Sequence, residues 1–142
     1  MVEVLIAGVL LASAISAVSR ISVAALSNSA RSSERSKIEA AINDNIQMLQ
    51  KEDSYFTYEW IEEYEDIQAA CTKPEEALSS RLQTIVEKPR LNGIERTFDA
   101  TSTPGILQVI YKFIGPETSI GQEQRLIEMH PNFAAKCFST SP

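Results

Sequence analysis

Glu3 stands at the mouth of an apolar run, Val4 to Val18, that holds no charged residue and passes without a break into a long polar helical pattern. A carboxylate beside such a run is costly in a bilayer unless something pairs it. Glu3 therefore reads as either a frayed end or a docking group. No proline precedes Pro74, and Gly8 is the only glycine before Gly93. The first half of the chain is accordingly expected to be helical. All six prolines and four of the five glycines fall from Pro74 onward, which predicts a turn-rich second half.

The uncharged run of 15 residues would make about 22 Å of helix, against a hydrocarbon core of about 30 Å. Apolar character fades through Ile21, Val23, Ala24, Ala25 and Leu26, and Arg20 is placed to snorkel toward the headgroups. A secretory signal would open on a basic segment, whereas Met1 and Val2 are followed here by an acid. A signal anchor with an incidental acid is the plainer alternative. Beyond the run, Ile38, Ile42, Ile46 and Leu49, joined by Ala41 and Asn45, form one apolar stripe at helical spacing. A single helix from about Val2 to Glu52 would be roughly 75 Å long. Residues 1–27 are its membrane or filament-core half, and residues 28–142 make a globular head.

At 142 residues, 44% hydrophobic and 23% charged, the chain suits one domain plus an appendage. The net charge of -6 is local, because Glu52, Asp53, Glu59, Glu62, Glu63, Glu65 and Asp66 crowd residues 52–66 without a base. That surface does not track phosphates, so no direct nucleic-acid binding is expected. It reads as a solvated helix face, or else as a partner-docking or loosely cation-binding patch.

The head is expected to carry the amphipathic helix to about residue 53, helices at about 57–70 and 74–88, and strands at about 94–99, 106–114 and 123–130. Trp60, Tyr64, Ile67 and Cys71 recur at helical steps and predict the buried face of the second helix. Thr72 before Pro74 and Glu75 predicts a capping box for the third, with Leu78, Leu82 and Ile85 on its face. The loops 101–105 and 115–121 suit hairpins, so the strands are expected to form an antiparallel meander packed on the long helix. The fold class expected is α+β.

Few residues invite chemistry. His130 is the only histidine, and with Cys137 it makes the one conceivable nucleophile pair; a lone strand-end histidine is more often surface or satisfied core. No GxSxG, HExxH, phosphate-loop or dinucleotide motif occurs. The chain is expected not to be an enzyme and to need no cofactor or metal. Cys71 and Cys137 lack ligand spacing. They read as one disulfide if the head faces an oxidising compartment, or as two reduced buried cysteines otherwise.

The segment VEVLIAGVLLASA, with its glutamate just inside an apolar helix that continues as an amphipathic one, resembles the amino terminus of type IV pilins and type II secretion pseudopilins. The resemblance covers about the first 30 residues. It implies a head in which a sheet lies against the long helix, a C-terminal region bounded by a disulfide (Cys71 with Cys137), and assembly through the helix. Glu3 would be the assembly residue, pairing with the amino terminus of a neighbouring subunit. Val4, Leu5, Ile6, Val9, Leu10, Leu11, Ile15 and Val18 would face membrane or filament core. The family's glycine cleavage site and basic leader do not precede Met1, so Met1 is expected to be an internal methionine of a longer precursor. The proline many major pilins carry near the end of the membrane segment is missing from Ala17 to Ile21, which points to a minor pilin or pseudopilin.

The partners so implied are other pilin or pseudopilin subunits, the assembly machinery, the inner membrane and, if the precursor extends upstream, prepilin peptidase with N-terminal methylation. The head would be periplasmic or extracellular. A count of basic residues opposes this, because Arg20, Arg31, Arg35 and Lys37 all follow the apolar run and would hold the head in the cytoplasm; a basic leader would supply the competing charge. The alternative function is a bitopic anchored binding protein that recognises a partner through residues 52–66 and does not polymerise.

Overall fold

In the computed structural model the backbone is described for residues 2–117 and 120–137, and the side chains for the same residues except 2–5, 14 and 17. The chain is α+β. Helix α1 runs Val2–Tyr55, followed by α2 (Tyr58–Tyr64), α3 (Ile67–Thr72), α4 (Pro74–Ile85), strands β1 (Glu95–Asp99), β2 (Leu107–Ile114) and β3 (Gln122–Met129), and a short α5 (Ala134–Cys137). The chain divides into two units, Met1–Lys37 and Ile38–Pro142.

In the first unit α1 contains no proline, and its serines turn inward on the backbone. The Ser13, Ser16, Ser19 and Ser22 hydroxyls donate to the carbonyls of Leu10, Ala12, Ile15 and Val18 at 2.8, 2.9, 2.9 and 3.0 Å. These polar side chains thus ask for no partner outside the helix. A window of this helix 18 residues long has a mean hydropathy of 1.9 and none of it is buried. By length and composition it is able to cross a membrane.

In the second unit the remainder of α1 joins the head. Ile38, Ile42, Asn45 and Leu49 are buried, at steps of 4, 3 and 4. The expected stripe is therefore centred on Asn45, and Ile46 lies only half-buried beside it. The β2 side chains alternate as an inward row of Leu107, Val109, Tyr111 and Phe113 against a more exposed row. These form one cluster with the α1 residues, Phe56, Ile61, Leu78, Leu82, Met129 and Phe133. The sheet is an antiparallel meander in the order β1-β2-β3, with Phe98 opposite Val109 and Val109 opposite Ile127.

Two local expectations need correction. The helix expected over 57–70 is two helices, because Glu65 is extended and the Asp66 carboxylate accepts from the amides of Gln68 and Ala69 at 3.0 and 3.3 Å, which starts a new helix. Its buried positions are Ile61 and Ala70, whereas Trp60, Ile67 and Cys71 are half-buried and Tyr64 is 63% exposed. Thr72 does not cap α4 either. It remains in α3, its hydroxyl donating to the Gln68 carbonyl at 2.8 Å, while Lys73 is the non-helical residue before Pro74. A residue preceding proline is excluded from helical geometry, so Lys73 takes the cap position with no side-chain bond.

Helix α4 ends at Ile85, short of the expected 88. Arg96 explains the ending: its Nη2 donates to the Val86 carbonyl at 2.7 Å and its Nη1 to that of Glu87 at 3.0 Å, closing off the helix terminus. At the other end of α4, Glu75 is buried and accepts the amide of Gly105 at 3.1 Å, in the turn where Gly105 takes a φ of 78°. That bond ties the β1–β2 connection to α4.

Candidate functional site

Among the described residues the first unit exposes its apolar side chains from Ile6 to Leu26. Ile6, Val9, Leu10, Leu11, Ile15 and Val18 are all more than half exposed, and Leu10, at 64%, is typical. The same exposure continues through Ile21, Val23 and Leu26. An isolated surface leucine needs no explanation, but a contiguous row of this extent marks a face that lipid or protein covers. The side chains of Glu3, Val4 and Leu5 lie outside the described residues. Glu3 itself falls within the first turns of α1, ahead of the apolar run.

The head is held by a buried polar junction that joins α1, the segment after α4, β1 and β2. Asn45, 2% exposed, donates through Nδ2 to the Glu87 carbonyl at 2.9 Å. Its Oδ1 accepts from Arg96 Nη1 and from the Tyr111 hydroxyl, both at 2.9 Å. Burial pushes the Tyr111 hydroxyl up to about 12, against the opposing pull of Arg96 and Arg125, so it stays a donor. Burial also draws the Arg96 guanidinium down. Beside the junction a groove of about 280 Å³ is lined in part by Met48, Lys51, Ile85, Lys88 and Arg90.

The acidic stretch 52–66 has separate uses along its length. Asp53 accepts the Asn132 amide at 3.1 Å, and burial, only partly opposed by that bond, holds its carboxyl above the usual carboxylate range. Glu59 pairs with Lys136, which lowers its carboxyl. Glu52 lies 4.0 Å from Arg81, whose guanidinium stacks 4.4 Å from the Trp60 ring centroid and 5.7 Å from that of Phe56. Glu62, Glu63 and Glu65 are exposed. Phe56 meets Phe133 edge-on at 5.2 Å, so Phe133 and the neighbouring α5 are anchored beside α2.

Cys71 and Cys137 form a disulfide, which joins α3 to α5. The sequence had left a reduced pair open; the bonded form also removes Cys137 from any pairing with His130 as a free thiol. His130 is exposed at the end of β3. Among the described residues no group of three or more His, Cys, Asp or Glu is arranged to hold a metal ion. Neither protein-family models, nor curated proteins, nor solved structures match this chain.

Sequence reasoning missed the Asn45 junction and the Arg81 stack. Asn45 carried a signal, a polar residue in the middle of an apolar stripe, since buried amides are held where partners satisfy them. Nothing local in the sequence pointed to Arg96 or Tyr111 as those partners.

Proposed function

We propose that the chain is a structural subunit of a membrane-derived filament, a minor pilin or pseudopilin of a type IV pilus or type II secretion system. The observation that carries this reading is the exposed apolar row of α1 from Ile6 to Leu26 in a chain whose second unit has its own core and disulfide. A head that needs nothing from the apolar helix leaves that helix free for lipid and then for like helices. Type IV pilin subunits combine these same features: an apolar helix with a glutamate near its start, a small antiparallel sheet and a bonded cysteine pair. The subunit waits in the inner membrane with its head in the periplasm, where a disulfide persists, and enters the filament by its helix.

Within a bundle of such helices Glu3 loses water, and a desolvated carboxylate requires a counter-charge. Glu3 is therefore the docking charge. The Glu3→Ala chain is expected to remain in the membrane fraction with its disulfide formed, yet to be missing from fibres sheared off the cell surface. Normal incorporation of that variant removes the docking role. An unprocessed chain that never leaves the membrane, with or without Glu3, supports the bitopic binding protein instead.

A further inference from the structure

The first unit leaves one polar demand open. From Ile6 to Leu26 the polar side chains are Ser13, Ser16, Ser19, Arg20 and Ser22. All four serine hydroxyls are satisfied within the helix. Arg20 is exposed and makes no hydrogen bond or ion pair among the described residues.

Length decides where Arg20 sits. The 15 residues before Ser19 supply about 22 Å of helix, short of a hydrocarbon core of about 30 Å. Exposed apolar side chains do not stop there: Ile21 and Val23 are 68% exposed and Leu26 is 71% exposed, as open as those before Arg20. Val4 to Leu26 makes about 34 Å and fills the core, but only with Arg20 inside it, about 9 Å from the head-side end. In lipid Arg20 is placed to snorkel toward the headgroups, but in a bundle of like helices it has no headgroup to reach. Charges at such depth turn toward a bundle interior and pair.

Among residues 1–30 Glu3 is the only acid and Arg20 the only base. They lie 17 positions apart, about 26 Å along a helix, and cannot meet within one chain. We propose that Arg20 of one copy binds the Glu3 carboxylate of a second copy whose helix runs parallel and is displaced by about 26 Å along the axis. A guanidinium suits this role because its planar fork matches a carboxylate. Each copy then offers a carboxylate at one level and a guanidinium at another. Such a head-to-tail contact does not close on itself and propagates as an open filament. The proposal rests on the filament reading and adds its register and counter-charge.

The test is oxidative cross-linking of fibres sheared from cells making the full chain with Val4→Cys and Ile21→Cys together. The native cysteines are bonded, so no other thiol is free, and formation of that bond reports folding of every variant. A ladder of multimers is expected from the double-cysteine chain, and little cross-linking from either single-cysteine chain. In that background Glu3→Gln and Arg20→Gln are each expected to reduce the ladder on the order of a hundredfold, and Glu3→Arg with Arg20→Glu in one chain to restore it. Dimers as abundant from a single cysteine as from the pair overturn the stagger, even if fibres still form. A ladder indifferent to Arg20→Gln but lost when anionic lipids are depleted assigns Arg20 to lipid phosphate and overturns the pairing. Absence of fibres from the unsubstituted chain overturns the filament reading itself.

Discussion

Asn45 holds the head together more specifically than any apolar contact does. Its side chain serves three partners from three other parts of the fold; without it the buried Tyr111 hydroxyl loses its bond, while Arg96 and the Glu87 carbonyl keep the one between them. Asn45→Ala is expected to destabilise the head by about 2–3 kcal/mol, read as a shift in the denaturant midpoint of the full chain in detergent. Asp53 sits in the opposite energetic position. Its folded carboxyl is raised by burial, so the folded state binds the proton more tightly than the unfolded one. The group therefore penalises folding above its folded pKa, and the penalty fades as pH falls through that value toward the ordinary carboxylate range. Asp53→Asn keeps an acceptor for the Asn132 amide. It is expected to raise the melting temperature slightly at neutral pH, by less than about 1 kcal/mol in stability, with the gain disappearing in acid. A variant less stable than the parent at neutral pH would show that the charge itself is needed. Asp99 has the reverse sign: hydrogen bonds from Ser102 and Thr101 hold its carboxyl far below the usual range, so whatever it contributes is complete above the ordinary carboxylate range and is lost progressively as pH falls below it.

At the scale of elements, the long helix and the meander were legible and the small helices were not. The spacing of Ile38, Ile42 and Leu49 marked the buried side of α1, and the strand expected over about 106–114 is β2, whose alternate side chains enter the core. Both are strong periodic signals because one face of each element is buried along its length. The break between α2 and α3 depends on one carboxylate, Asp66, turning back on two amides. In an acidic run such a residue looks like any other solvated charge. The junction of Asn45, Glu87, Arg96 and Tyr111 was illegible for a different reason: its members are up to 66 residues apart, and no local pattern couples them. The disulfide likewise spans 66 residues, and closing such a loop restricts the unfolded chain by about 4 kcal/mol in the chain-entropy model. Replacing both cysteines by serine is expected to cost about that much, measured by urea unfolding of the full chain. Because α5 is also held through Phe133 and Lys136, local opening near residues 131–137, followed by amide exchange, should rise before the sheet opens.

For the whole molecule, the proposed function rests on a division of labour between the two units. The Ile38–Pro142 unit carries a core that closes on itself, whereas Met1–Lys37 exposes its apolar row and completes its serine hydrogen bonds internally. In the filament reading such a helix passes from lipid to a bundle of its own copies, and that move asks no refolding of the head. The candidate site was legible in the sequence as its apolar extent and its single acid; the structure adds that the apolar row is exposed on both sides of Arg20. The most direct measurement is electron microscopy, with immunodetection of this head, of fibres sheared from cells that natively make the chain. Assembly through α1 predicts fibres that carry the head at their surface and vanish when Glu3 is replaced by alanine, while the chain stays in the membrane. A chain confined to the membrane as separate copies under the same conditions would contradict it.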